Sequence, residues 1–140
     1  MTTLASGIIL YRRAPESVRL LLLRNAQNGH WGFAKGRRDR DDAHEVATAL
    51  REVREETGYD GLRLHPGFRS VLDYAVQQPG GKAYGKRVTY FLARAPDAEP
   101  VLSREHDELL WADERGVESR LAFGQMRDLA RAVFALLRDA

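Results

Sequence analysis

The chain of 140 residues contains no cysteine. Disulfide staples and thiolate metal centres are therefore excluded. Histidine is sparse: His30, His44, His65 and His106 are scattered, with no pair at zinc-ligand spacing. No apolar run approaches the roughly 20 residues that a membrane-spanning helix needs. The opening MTTLASGIILYRR has no basic segment ahead of its short apolar run, which makes it a poor export signal. Repeats, linkers and low-complexity tracts are missing as well. So is a strong charge of one sign, because the net charge is only +2, and a nucleic-acid partner is not expected. These absences leave a cytoplasmic enzyme or binding module, in one domain spanning residues 1–140, as the expectation.

What is present fits a protein with a real core. Apolar residues make up 44% and charged residues 30%, the usual balance of a globular chain. GIILYRR and VRLLLLR read as a hairpin-like pair of buried strands split by APES. NAQNGHWGFAKGRRDRDD, rich in Gly, Asn and charge, reads as a loop. A helix is expected from about Ala43 to Thr57, with Asp42 and Glu45 as a capping box and Gly58 as the stop. FRSVLDYAV and KRVTYFLARA read as strands around the turn QQPGGKAYG. ELLWAD reads as a short strand leading into a helix. In the tail, Met126, Leu129, Ala130, Val133, Phe134 and Leu137 recur at helical spacing and form a core stripe. The pattern predicts an α/β layered domain with a mixed sheet.

LREVREETGY, residues 50 to 59, raises the functional question. At about 100° per residue, Val46, Ala49, Leu50, Val53 and Thr57 form one apolar stripe. Glu52, Glu55 and Glu56 fall together on a second face, at roughly 180–280° from Val46. Arg51 can pair with Glu55 at i+4. Carboxylates at i, i+3 and i+4 repel one another, so a purely structural helix gains nothing from them. A hard divalent cation reverses that sign. Charged helix faces are common, and spacing alone leaves both readings open. Basic residues cluster at Lys35 to Arg38 and at Lys82 to Arg87, which suits either solubility or the mouth of a site for a polyanionic small molecule.

The wider context resembles a known family. REVREETGY matches the second half of the Nudix box, G-x5-E-x7-R-E-U-x-E-E-x-G-U with U apolar, position for position. The first half departs: Gly36 lies one residue too far from Arg51, and the first glutamate has no clear counterpart, Asp41 and Asp42 being nearest. Within that superfamily the chain is most similar to the animal and archaeal diadenosine tetraphosphate hydrolases. ASGIILYRR, HWGFAKG (with Ala34 where Pro is usual), RVTYFLA and LSREHDELLWAD each resemble segments of that group, in the same order.

The resemblance implies a Nudix fold, an α/β/α sandwich with a mixed β-sheet. It implies Mg2+ as cofactor, with Mn2+ as a substitute. Gly36 (through its carbonyl), Glu52, Glu55 and Glu56 would be the metal ligands, and Arg51 would hold the glutamates in place. Glu105 is a candidate general base or further ligand, with Glu52 and Glu56 as rivals. Lys35 would reach phosphate oxygens, and Arg37, Arg38, Lys82, Lys86 and Arg87 could serve distal phosphates. Tyr90 would stack on an adenine, with Trp31, Tyr74, Tyr84 and Phe123 as weaker candidates; Trp111 reads as core. The implied reaction is hydrolysis of a small-molecule dinucleoside polyphosphate, diadenosine tetraphosphate to ATP and AMP or a longer homologue. Alternatives are diphosphoinositol polyphosphates, nucleoside triphosphates, a capped RNA end, or nucleotide binding without catalysis. Monomer and homodimer both remain open.

Overall fold

The first strand, β1 (Thr2–Arg13), is buried on both faces from Ala5 to Leu10. A strand reads this way when layers cover both sides of its sheet. The computed structural model describes residues 2–139. Ala14 and Ser17 close a turn, and β2 (Val18–Asn25) returns antiparallel with Tyr11 opposite Leu20. This is the hairpin expected from the two apolar runs.

The stretch read as a continuous loop contains two more strands. β3 (Trp31–Gly32) pairs with β2, and β4 (Ala34–Arg37) runs antiparallel to β1. AKGR has neither alternation nor β-branched residues, so local propensity does not announce it. Its partner holds it extended. Gly7 makes the close approach possible, because a Cβ there would lie 2.2 Å from the Ala34 carbonyl oxygen and 2.5 Å from Lys35 Cβ.

Helix α1 (Glu45–Thr57) starts two residues later than expected. Its N-cap is His44, which accepts the Ala47 amide at 3.1 Å, and not Asp42. The other end is as expected: Gly58 takes φ 78°, a left-handed conformation that glycine adopts without strain. β5 (Ser70–Gln77) and β6 (Ala83–Arg94) form the second hairpin. β7 (His106–Ala112), α2 (Glu114–Arg120) and α3 (Gly124–Arg138) complete the chain. The tail stripe is buried at Leu129, Ala130, Val133, Phe134 and Leu137, with Met126 half-buried at its edge.

β1 is parallel to β6 and antiparallel to β2 and β4, so the sheet is mixed, in the order β3-β2-β1-β6-β5, with β4 added on β1 and β7 on β2. Side chains alternate across it. Ile8, Leu10, Leu21 and Phe91 pack with Ala49 and Val53 of α1. Ile9, Leu20, Leu22, Val88 and Leu92 pack with Val117 of α2 and with Leu129, Val133 and Phe134 of α3. The result is an α/β/α sandwich. Among the described residues no helix is long and apolar enough to cross a membrane.

Candidate active site

The site forms where α1 lies against β4. Glu56 is 3% exposed, and one of its oxygens accepts the backbone N–H of Lys35 at 3.1 Å. A single amide does not replace the lost water. Burial, with the Glu52 carboxylate as neighbour, pushes the Glu56 pKa up from the ordinary 4.5 to about 8. Burial also raises Glu52. Glu52 lies directly against Gly36: a Cβ on that glycine would fall 2.0 Å from the Glu52 carboxyl. Any residue type could supply a carbonyl at position 36, but only glycine leaves room for the carboxylate beside it. The glutamate trio is not presented evenly. Glu55 is exposed and turned toward Arg51 at 3.2 Å, away from the buried pair.

Arg51 ties this region together. Its guanidinium donates to both oxygens of Asp42 at 3.0 Å, to Glu52 at 2.9 Å, and to the Arg37 carbonyl at 3.0 Å. Asp42 also accepts from the Thr48 hydroxyl and the Asp39 amide, at 2.9 and 2.7 Å. Arg51 and these bonds hold the Asp42 carboxyl well below the usual carboxylate range. Asp42 is the sixth residue after Gly36, the spacing of the first box glutamate. Counted this way, the extra residue lies between Asp42 and Arg51, and the loop from Gly36 to Asp42 has the box length.

On the other side of β4 a cavity of about 380 Å³ opens. Glu56, Lys35, Glu105, His106 and Tyr90 meet in it, and His30, Trp31, Tyr74 and Phe123 form its aromatic walls. Glu56, Glu105 and His106 each bring one ligand atom to within 4.8 Å of the others. The backbone positions Glu105: its carbonyl accepts the Ala26 amide at 2.9 Å, tying it to the end of β2. His106 was not among the residues singled out. It begins β7, its Nδ1 is buried without a partner, and burial lowers its pKa. The adjacent Glu-His pair was the signal for it.

Two residues expected on the substrate side are placed differently by the fold. Tyr90 is 1% exposed and packs edge-on against Phe33, with ring centroids 5.8 Å apart. A ring so enclosed has no open face for a base; only its unpartnered hydroxyl is left at the cavity floor. Phe123, 60% exposed and edge-on to His30, offers an open face instead. Arg87 alternates away from the cavity and is held by Asp73 at 2.7 Å, so the structure does not bring it to the site. Lys86 lies on the cavity face of β6, half-buried, beside Lys35. Trp111 is buried, as expected of a core residue.

The family model for the NUDIX domain matches residues 1–133. The asymmetrical bis(5'-nucleosyl)-tetraphosphatase of Mus musculus is 34% identical over 140 residues, covering 92% of this chain and 89% of that protein. Its Sus scrofa counterpart is 35% identical over 142 residues with the same coverage. A crystal structure of a C. elegans Ap4A hydrolase binary complex, 27% identical, overlays with a TM-score of 0.87 across 99% of both chains. The E. coli dihydroneopterin triphosphate pyrophosphohydrolase, at 17% identity and a TM-score of 0.75, shares the fold. Fold, carboxylate helix and relatives together define a pyrophosphohydrolase. The chain belongs to the Nudix family.

Proposed function

We propose that this protein is a magnesium-dependent hydrolase of dinucleoside polyphosphates that converts diadenosine tetraphosphate to ATP and AMP. The observation that carries the reading is the buried Glu56 at the junction of two environments. On one side lie Glu52 and Gly36; on the other is a cavity with a lysine, two further ligand-type side chains and aromatic walls. Hard oxygen donors that are costly to ionise without a cation fit Mg2+. Glu52, Glu56 and the Gly36 carbonyl would hold it, with Glu55 reaching it through water. When bound, the ion neutralises phosphate oxygens and lowers the pKa of an attacking water.

The chain's own residues supply the rest. Lys35 faces the cavity and would hold a phosphate oxygen. Tyr74 and Phe123 would flank a base. Glu52 is engaged by Arg51, and Glu56 by the Lys35 amide. The Glu105 carboxylate has no side-chain hydrogen-bond or ion-pair partner among the described residues, which favours it as the base that accepts the water's proton. The test is to incubate the protein and Mg2+ with dinucleoside polyphosphates, nucleoside triphosphates and diphosphoinositol polyphosphates, resolve the products chromatographically, and run Glu56→Gln alongside. ATP from the tetraphosphate, lost in the variant, is expected. Absence of turnover on every dinucleotide would remove the substrate assignment; full activity in Glu56→Gln would remove the metal assignment.

A further inference from the structure

The loop that joins β2 to β3 forms part of the cavity rim, and its own backbone fixes its side chains. Asn25 Oδ1 accepts the amides of Gln27 and Asn28 at 2.9 and 3.0 Å. Asn28 Oδ1 accepts the His30 amide at 2.9 Å. Only an oxygen can accept these bonds, so each carboxamide has one orientation. The NH2 end of each is left without a partner among the described residues. Both asparagines line the cavity beside His30, whose ring meets Phe123 edge-on with centroids 5.8 Å apart. The α3 side shows the opposite case. Gln125 also lines the cavity, and its Nε2 donates to the Asp73 carbonyl at 3.3 Å. Its Oε1 is the end left free. The rim near Phe123 therefore offers two donors from the β2–β3 loop and one acceptor from α3.

Closing the loop does not by itself call for asparagine. An aspartate accepts the same backbone amides and makes the same turn. What asparagine adds at positions 25 and 28 is the donor. Purines differ in how they meet a donor. The O6–N7 edge of guanine carries two acceptors, whereas the N6–N7 edge of adenine carries one donor and one acceptor. An asparagine reads adenine by giving from its nitrogen and taking with its oxygen. Here both oxygens are committed to the loop, so that pairing is closed. Two NH2 groups facing adenine would set donor against donor at N6. Guanine meets both with acceptors, and the N1 and N2 donors of its adjoining edge suit the Gln125 oxygen.

Resting on the hydrolase reading above, with Phe123 as the face on which a base stacks, we propose that this cavity selects a 6-oxopurine. Asn25 and Asn28 donate to its O6 and N7, and Gln125 accepts from its N1 and N2 side. Diadenosine tetraphosphate is then a substrate, and guanosine-ended polyphosphates are better ones.

The experiment compares kcat/KM for diguanosine and diadenosine tetraphosphate on the wild type and on Asn25→Asp/Asn28→Asp. The aspartates keep the acceptors that the loop amides need and turn each donor into an acceptor. Their added charge repels both polyphosphates alike and cancels in the ratio. A rim open to solvent gives the low end of base discrimination, so the wild-type guanosine-to-adenosine ratio should be about 5- to 10-fold. In the variant it should fall to one or below, because a carboxylate accepts from adenine N6. A wild-type ratio of one, or a preference that the variant keeps, overturns the base assignment and leaves the hydrolase reading standing. A second arm titrates guanosine and adenosine diphosphate calorimetrically into both proteins in EDTA, independently of turnover. A guanosine preference lost in the variant, with no hydrolysis of any dinucleotide, would keep the base assignment and sink the hydrolase reading. In the same titration 7-deazaguanosine diphosphate, which lacks the N7 acceptor, should bind the wild type about 5-fold more weakly than guanosine diphosphate. Equal binding of the two would overturn the assignment of the O6–N7 edge.

Discussion

Glu56 makes the metal-free protein a pH-sensitive one, with a predictable sign. Its carboxyl has an ordinary pKa of 4.5 when the chain is unfolded and about 8 in the fold. Between those values the folded state binds the proton that the unfolded state has lost. Stability therefore falls as pH rises through this window, at up to about 1.4 kcal/mol per pH unit. From pH 5.5 to 7.5 this group alone removes up to about 2.7 kcal/mol, which is about 5–10 °C in Tm for a domain of this size. Glu52, also raised by burial, works in the same direction. His106, lowered by burial, works in the opposite direction below pH 6.5. It is present in both wild type and Glu56→Gln, so the difference between the two proteins isolates Glu56. Denaturant titrations in EDTA at several pH values should show Glu56→Gln gaining on the wild type steadily from pH 5.5 to 7.5. Mg2+ binds the ionised carboxylates, so it should restore the wild type at pH 7.5 and do little for the variant. A wild-type-minus-variant difference that stays constant with pH would refute the buried-carboxylate argument.

Three substitutions probe the remaining parts of the site. Gly36→Ala puts a Cβ 2.0 Å from the Glu52 carboxyl; displacing that carboxylate should cost about 10- to 100-fold in activity or Mg2+ affinity, measured by magnesium titration of turnover. Arg51→Ala frees Asp42 and Glu52. Activity should fall by a similar factor of about 10- to 100-fold. The Asp42 carboxyl is held low by Arg51, so the stability difference from wild type should be full above about pH 4 and shrink as pH falls, read by denaturant titration. Phe123→Ala removes the open aromatic face of the cavity. A stacked base is worth about 1–3 kcal/mol, so KM for diadenosine tetraphosphate should rise about 5- to 150-fold. An unchanged KM would move the base to another wall.

The parts of this molecule that could be read in advance are those whose cause is local. β1, β2, β5, β6 and β7 follow from apolar runs and turn residues, and α1 and α3 from helical periodicity. β4 could not be read, because AKGR is extended only where Gly7 lets it approach β1. The REVREE spacing showed that carboxylates share a helix, but not that one would be buried and another turned to solvent. That depends on β4 lying against Glu52 and Glu56, a contact between segments far apart in sequence. Tyr90 shows the same limit from the other side. Its strand was legible, but the direction in which an aromatic on it is open depends on Phe33, which belongs to the unforeseen region between β3 and β4.

Asp42 joins the two levels. Read locally, an Asp three residues before Glu45 is a helix cap. In the fold His44 takes the cap, and Asp42 is left free to receive Arg51 from two turns along α1. An aspartate side chain is one methylene shorter than the glutamate of the family pattern. The one residue in excess of the box spacing lies between it and Arg51, the stretch in which the chain enters the helix. We take these two departures to compensate each other: the added residue resets the helix entry so that a shorter acid still meets the arginine. An Asp42→Glu variant should therefore strain this junction, lowering Tm and activity together. Asp42→Glu with Ala43 deleted should recover both, and failure of the deletion to recover either would show that the insertion and the shorter side chain are unrelated.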